Sequence, residues 1–297
     1  MKCDLCPRKC LVDRKKGEKG ICGQTENLKV ARAALHFWEE PCISGDEGSG
    51  AVFFSGCPLH CVFCQNENIA NGTVGKEISL ERLVDIFLEL QEKRANNINL
   101  VTPGHFVPQI VKALNQAKKE GLTLPVVYNT SSYETVDTIK MLEGYVDIYL
   151  PDFKYMSLVL SKKYSHAPDY AEVAKAAIAE MVRQTGKAVF VNGEEDNLIL
   201  SGTIVRHLTL PGCIADSMQI LKYLHDTYGD TIYISIMNQF TPLSNLEKYP
   251  ELNRKITDEE YETLVDYAIE IGIENGFIQE GDTAEESFIP AFDCEGV

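Results

Sequence analysis

No feature constrains the fold of this chain more tightly than the regular alternation of extended and helical patterns that begins near residue 50. Extended apolar runs cover residues 50–55, 98–102, 125–129, 146–150, 204–210 and 231–236. Helical patterns follow at 79–94, 105–120, 134–142, from 168 past 181, 216–228 and 257–271. Ser79 stands where a cap is needed, and Leu80, Leu83, Val84, Phe87 and Leu90 then recur on one face. Gly121 stops the second helix, and Thr257-Asp258-Glu259-Glu260 opens the last as a capping box. A helix in nearly every crossover implies parallel strands joined right-handedly. Six such units are too few for an eight-unit barrel. The expected class is therefore α/β, a partial (βα)6 TIM-like barrel, with a doubly wound open sheet as the alternative. A run at 188–191 reads as a short strand outside this series, and 277–278 as a last short strand. In either fold, the chemistry belongs on the loops at the strand C-termini.

The first of those loops reads Cys57-Pro58-Leu59-His60-Cys61-Val62-Phe63-Cys64. Three thiols in one tight loop suit an iron–sulfur cluster, because soft thiolates are its ordinary ligands. A four-iron cubane needs four ligands, so one iron would stay open to a reacting group. The other strand ends carry Thr102-Pro103-Gly104-His105, Asn129-Thr130-Ser131-Ser132, Pro151-Asp152-Phe153-Lys154 and Met237-Asn238-Gln239, with Arg206 and His207 inside the fifth strand. Together they describe a mouth for a polar, zwitterionic ligand. His60 reads as pointing to solvent. His105 and His207 read as structural, with proton transfer to a substrate as the alternative.

The first 49 residues form a Cys-rich segment and lead-in, ahead of a barrel spanning 50–297. Cys3, Cys6, Cys10 and Cys22 are separated by two, three and eleven residues. So short and polar a stretch needs a metal to hold it, and both zinc and a second iron–sulfur site fit the spacing. Residues 28–38 look extended. The glycine-rich stretch 44–50 reads as a turn, because it lacks the Gly-Lys-Ser/Thr ending of a phosphate loop. Cys42, Cys213 and Cys294 lie outside both groups and read as small buried hydrophobes.

A net charge of −16 argues against a nucleic-acid or anionic-membrane partner. Residues 1–35 run the other way, with nine basic side chains and four acidic ones. This basic segment is either a solvated surface or a dock for an acidic electron donor. The sequence has no apolar run long enough for a bilayer, and its start shows no apolar signal region, so a cytoplasmic protein is expected.

The pattern Cys57-x3-Cys61-x2-Cys64, with Phe63 before the last cysteine, resembles the signature of the radical S-adenosylmethionine (SAM) superfamily. Its context, Phe54-Ser55-Gly56-Cys57 through Gln65-Asn66, is similar to the pyruvate formate-lyase activating enzyme group. Leu5-Cys6-Pro7-Arg8 resembles a subgroup of activating-enzyme-like proteins with an extra N-terminal cysteine cluster. The resemblance implies a 4Fe–4S cluster on Cys57, Cys61 and Cys64. It also implies reductive cleavage of SAM to a 5′-deoxyadenosyl radical, and hydrogen abstraction that activates a glycyl radical enzyme. Phe63 would lie by the adenine, and Asn129, Thr130, Asp152 and Lys154 would serve the methionyl or ribose groups. Arg206 would serve the carboxylate side. Thr102-Pro103-Gly104 stands where that group carries Gly-Gly-Glu for the SAM amino group. A flavodoxin or ferredoxin would supply electrons. The alternatives are radical modification of another peptide or a small molecule, a non-catalytic iron–sulfur electron-transfer protein, and a zinc-stapled binding module.

Overall fold

A computed structural model describes residues 2–193, 197–242, 246–279, 290 and 292–297. After the Cys-rich start the chain forms β1 (Leu28–His36), α1 (Pro41–Ser44), β2 (Ser49–Phe54), α2 (Glu67–Ala70), β3 (Lys76–Ile78) and α3 (Leu80–Glu92). It then forms β4 (Ile98–Val101), α4 (Val107–Lys119), β5 (Val126–Thr130), α5 (Val136–Lys140), β6 (Ile148–Pro151), α6 (Leu158–Ser165) and α7 (Tyr170–Thr185). The last elements are β7 (Val189–Phe190), β8 (Ile199–Leu208), α8 (Ile214–Tyr228), β9 (Tyr233–Met237), α9 (Asp258–Glu270) and β10 (Gly276–Ile278).

The strands join one sheet in the order β10-β9-β8-β6-β5-β4-β2-β1-β3, open at both ends, so the barrel is not closed. From β2 to β10 every neighbouring pair in that order is parallel. This is the expected series of six units, continued by β10. The extended run at 28–38 becomes β1, which pairs antiparallel with β2 and β3. β7 pairs antiparallel with β8 outside the series, as the pattern suggested.

Local signals set most boundaries. Ser79 accepts a bond from Arg82 N, and Thr257 with Glu260 closes a full capping box. Three details differ from the sequence reading. The glycine-rich turn is shorter, because Pro41 starts a helical turn and Ser49 already belongs to β2. β8 starts five residues early, where β7 gives it a partner. α6 was not anticipated, because its apolar periodicity is weak. Ser157 nevertheless caps it, accepting from Leu160 N.

The strands' period of two builds the site. Side chains alternate between faces. Val52, Phe54, Leu100 and Tyr128 face α3 and α4 in one apolar cluster. On the opposite face, Val127, Ile148, Leu150, Ile204 and Tyr233 close on Cys42 and Ile43 of α1. One pleat further along the same face come Asn129, Asp152, Arg206 and Ser235. The apolar plug thus forms a floor, and polar groups stand directly above it.

Candidate active site

Those polar groups line a cavity of about 660 Å³. Cys57, Cys61 and Cys64 line it too, with Phe63, Thr102, Asn129, Thr130, Asp152, Lys154 and Arg206. Gly104 does not: a Cβ there would stand 2.8 Å from the Glu134 carboxylate, which accepts from Tyr128 Oη at 2.6 Å and from Thr130 Oγ1. Thr102 reaches the wall in a left-handed conformation, φ 56°.

The cysteine loop leaves β2 through Gly56, φ 91°, where a Cβ would meet Cys22 O at 2.5 Å. Only glycine tolerates that approach. Leu59 is buried beneath the loop, and Phe63 packs edge-on to Tyr155, Tyr164 and Phe240. Burial pushes the Cys57 thiol up to about 11, reinforced by the neighbouring Cys61. Burial also raises Cys61 and Cys64. Lys154 and a 3.1 Å bond from Ser165 Oγ partly offset this at Cys61. Such thiols need a metal or cluster to become thiolates.

Beside the loop stands a network of ion pairs. Arg206 donates from Nε to Asp152 Oδ1 at 3.0 Å, from Nη1 to Glu39 Oε2 at 3.0 Å and from Nη2 to Asn129 Oδ1 at 2.6 Å. Lys154 Nζ donates to Asp152 Oδ2 at 2.7 Å. Burial alone would raise the Asp152 carboxyl, but Lys154 and Arg206 hold it below the usual range. Burial would likewise lower Lys154, but Asp152 and Cys61 keep it raised and charged. Arg206 is therefore occupied by protein partners on all three nitrogens.

The N-terminal segment packs behind the cysteine loop. Burial raises Cys6 to about 12, with Cys22, Cys3 and Cys10 adding to the shift, so the four thiols lie within reach of each other's charge. A Cβ on Gly20 would stand 3.0 Å from Cys10 Sγ and 3.6 Å from Cys22 Sγ. Among the described residues, no three His, Cys, Asp or Glu side chains stand in a geometry that would hold a metal ion. Arg8 ties the segment to the loop by donating to Pro58 O and Ser165 O, both at 2.9 Å, and to His166 O at 2.5 Å. His60 does not simply point to solvent, since its Nε2 pairs with Ile21 O at 2.8 Å.

His105 and His207 stand outside the cavity and are buried. His105 Nε2 pairs with Ser55 O at 2.7 Å, and burial holds its pKa down to about 3. His207 bridges Phe153 O and Ser217 Oγ, at about 4. Cys42 is buried in the floor, while Cys213 and Cys294 are half-buried. Sequence reasoning missed Arg8, Glu39 and Glu40. The two acids before Pro41 resemble any polar loop until β1 and α1 carry them under the cavity.

Residues 51–198 match the model of the Radical SAM superfamily. An uncharacterized protein of Methanocaldococcus jannaschii is 27% identical over 272 residues, covering 90% of this chain and 74% of that protein. Among solved structures, Streptococcus suis SuiB bound to S-adenosylmethionine aligns with a TM-score of 0.52 at 12% identity, covering 76% of this chain and 49% of that one. A spore photoproduct lyase mutant aligns with 0.52 at 13% identity, covering 83% and 79%. The chain thus spans about half the length of SuiB, and at such identities the likeness concerns the fold. With the cysteine loop at the head of the matched stretch, and the α/β sheet shared with these structures, the chain belongs to the radical SAM superfamily.

Proposed function

We propose that this protein is a radical SAM enzyme whose catalytic 4Fe–4S cluster sits on Cys57, Cys61 and Cys64. Membership of the superfamily implies both that cluster and SAM as cofactors. The donor set fits by residue type, although the three sulfurs do not stand in a metal-holding geometry. Three half-buried thiols line one cavity, and soft thiolates are the ligands such a cluster takes. One observation carries the reading: the three thiols and the Asp152–Arg206–Lys154 network share that cavity. When bound, the reduced cluster and SAM supply a 5′-deoxyadenosyl radical for hydrogen abstraction.

The chain's own residues position the reactants and exclude water. Lys154 carries a half-buried positive charge beside Cys61, suited to the carboxylate of SAM. Asn129, Thr130 and Asp152 offer the methionyl and ribose groups their polar partners, and Thr102 stands at the amino-group end. Phe63 supplies an aromatic edge for the adenine. Arg206 serves this site by holding Asp152 and Asn129 in place.

The substrate is a peptide or protein in this reading, with glycyl-radical activation as its specific form. SuiB has been seen with a precursor peptide. The exposed Lys2, Lys9, Lys15, Lys16 and Lys19 of the N-terminal segment would receive an acidic reductant such as flavodoxin or ferredoxin. The N-terminal cysteines would hold zinc or a second cluster as a staple. A purely electron-transferring protein would need a fourth ligand, yet Cys42 lies in the apolar floor and His60 is bonded to Ile21.

The test is anaerobic reconstitution followed by reduction. SAM perturbs the paramagnetic resonance signal of the reduced protein, and 5′-deoxyadenosine accumulates. Each of Cys57→Ser, Cys61→Ser and Cys64→Ser abolishes both. A reduced, iron-loaded protein that neither responds to SAM nor cleaves it refutes the proposal.

A further inference from the structure

Two acids stand side by side under the cavity, and only one is used by the fold. Glu39 is saturated. Its Oε1 accepts from Asn99 Nδ2 at 3.0 Å and Asn129 Nδ2 at 3.1 Å, and its Oε2 accepts from Arg206. Glu40 is 8% exposed, and its Oε2 is buried without a hydrogen-bond partner among the described residues. Its carboxyl bonds with Ser235 of β9 and with its own backbone, and burial raises its pKa against the opposing charge of Arg206. Buried carboxylate oxygens are rarely left unpaired, because the lost hydration is not replaced.

The cations of the cavity are already committed. Arg206 divides its nitrogens among Asp152, Glu39 and Asn129, and Lys154 faces Asp152. His36 also lines the wall, but burial, with Arg32 and Arg206 nearby, holds its pKa down to about 4, so it is neutral. Glu40 is the acid left over. Its partner Ser235 is on β9, and the cysteine loop leaves β2, with β8, β6, β5 and β4 between them in the sheet. The β9 and β10 side of the cavity carries Met237 and Phe277.

We propose that Glu40 anchors the substrate by accepting from a primary ammonium or guanidinium group, as on a lysine- or arginine-like side chain of a peptide or protein. This rests on the radical SAM reading and extends it by assigning the substrate's charge. SAM occupies the flank beside the thiols and Lys154, and the substrate cation occupies the flank at Glu40. The intervening Asn129, Asp152 and Arg206 form the wall between them.

Trp38 is the single tryptophan, lies 62% exposed and lines this same cavity, so its fluorescence reports occupancy. The reconstituted full chain with SAM is titrated with n-butylammonium and methylguanidinium, and with neutral 1-butanol and N-methylacetamide as controls. Saturable binding of the cations is expected, weakened by about tenfold or more in Glu40→Gln and less in Glu40→Asp. Equal cation binding by wild type and folded Glu40→Gln overturns the proposal, as does neutral-ligand binding as tight as that of the cations. Should Glu40→Gln fail to fold, the cation-against-neutral comparison in the wild type decides alone. The same samples, once reduced, are assayed for 5′-deoxyadenosine. Cation binding without SAM cleavage defeats the radical reading and leaves the anchor standing. SAM cleavage with no preference for cations does the reverse.

Discussion

Replacing Arg8 with methionine should loosen the cysteine loop from behind. Arg8 makes bonds of 2.9, 2.9 and 2.5 Å to Pro58 O, Ser165 O and His166 O, and a contact of 3.5 Å to Leu59 O that is too long to count. Each acceptor is a backbone carbonyl, and the guanidinium is half-buried. At about 1 kcal/mol net for each partly exposed bond, the three contribute ~3 kcal/mol. The guanidinium also lies 5.1 Å from the Tyr133 ring centroid, which adds ~0.5 kcal/mol. The expected loss is therefore about 3–4 kcal/mol, or a fall in Tm of roughly 5–6 °C for a chain of this size. Arg8→Lys should lose roughly 2 kcal/mol, because one ammonium cannot span three carbonyls as the planar fork does. Two measurements suffice: chemical denaturation of the metal-free chain, and amide exchange at residues 57–64. Iron retained after desalting should fall alongside. A methionine variant with wild-type stability and unchanged exchange in the loop would refute the idea that Arg8 clamps it.

Arg206→Met should cost about 3–5 kcal/mol, because Asp152 and Glu39 are left buried without their cation. Adding Glu39→Gln and Asp152→Asn should restore part of that loss, and denaturation midpoints that show no recovery would contradict it. Burial keeps His105, His36 and His207 neutral, at about 3, 4 and 4, whereas each protonates near 6.5 when unfolded. The unfolded chain thus binds more protons below pH ~6.5, so stability is lost as pH falls from there toward 4. His105→Gln should flatten that slope by up to about 1.4 kcal/mol per pH unit, and unfolding curves that stay parallel to wild type would count against it. Gly56→Ala places a Cβ 2.5 Å from Cys22 O at φ 91°, and should cost about 1–3 kcal/mol. It should also speed proteolysis in residues 1–27, and a variant as resistant as wild type would show that the approach is not needed.

The sequence displayed the parallel series because each unit announces itself locally. Ser79 and Thr257 cap helices within three residues of their acceptors, and Gly121 stops one within a turn. Three thiols within eight residues declare a ligand set without any tertiary knowledge. α6 stayed hidden because its faces are not sorted by polarity, and β8 began early because the strand it pairs with lies outside the repeat. Arg206 shows the same limit at the site. The family resemblance assigned it to the carboxylate side of SAM, whereas folding gives it Asp152, Glu39 and Asn129.

What the sequence determined by itself was therefore the short-range part: the alternation, the caps and the cysteine loop at the end of the first parallel strand. Their causes act over one helical turn or one pleat, a distance that residue spacing records. Only the tertiary structure decided how charge is shared in the cavity. Glu39 and Glu40 are adjacent in the chain, yet one meets Arg206 from β8 and the other keeps an unpaired oxygen above the floor. That difference arises from strands that are distant in sequence and neighbours in the sheet, and electrostatics depends on distance in space.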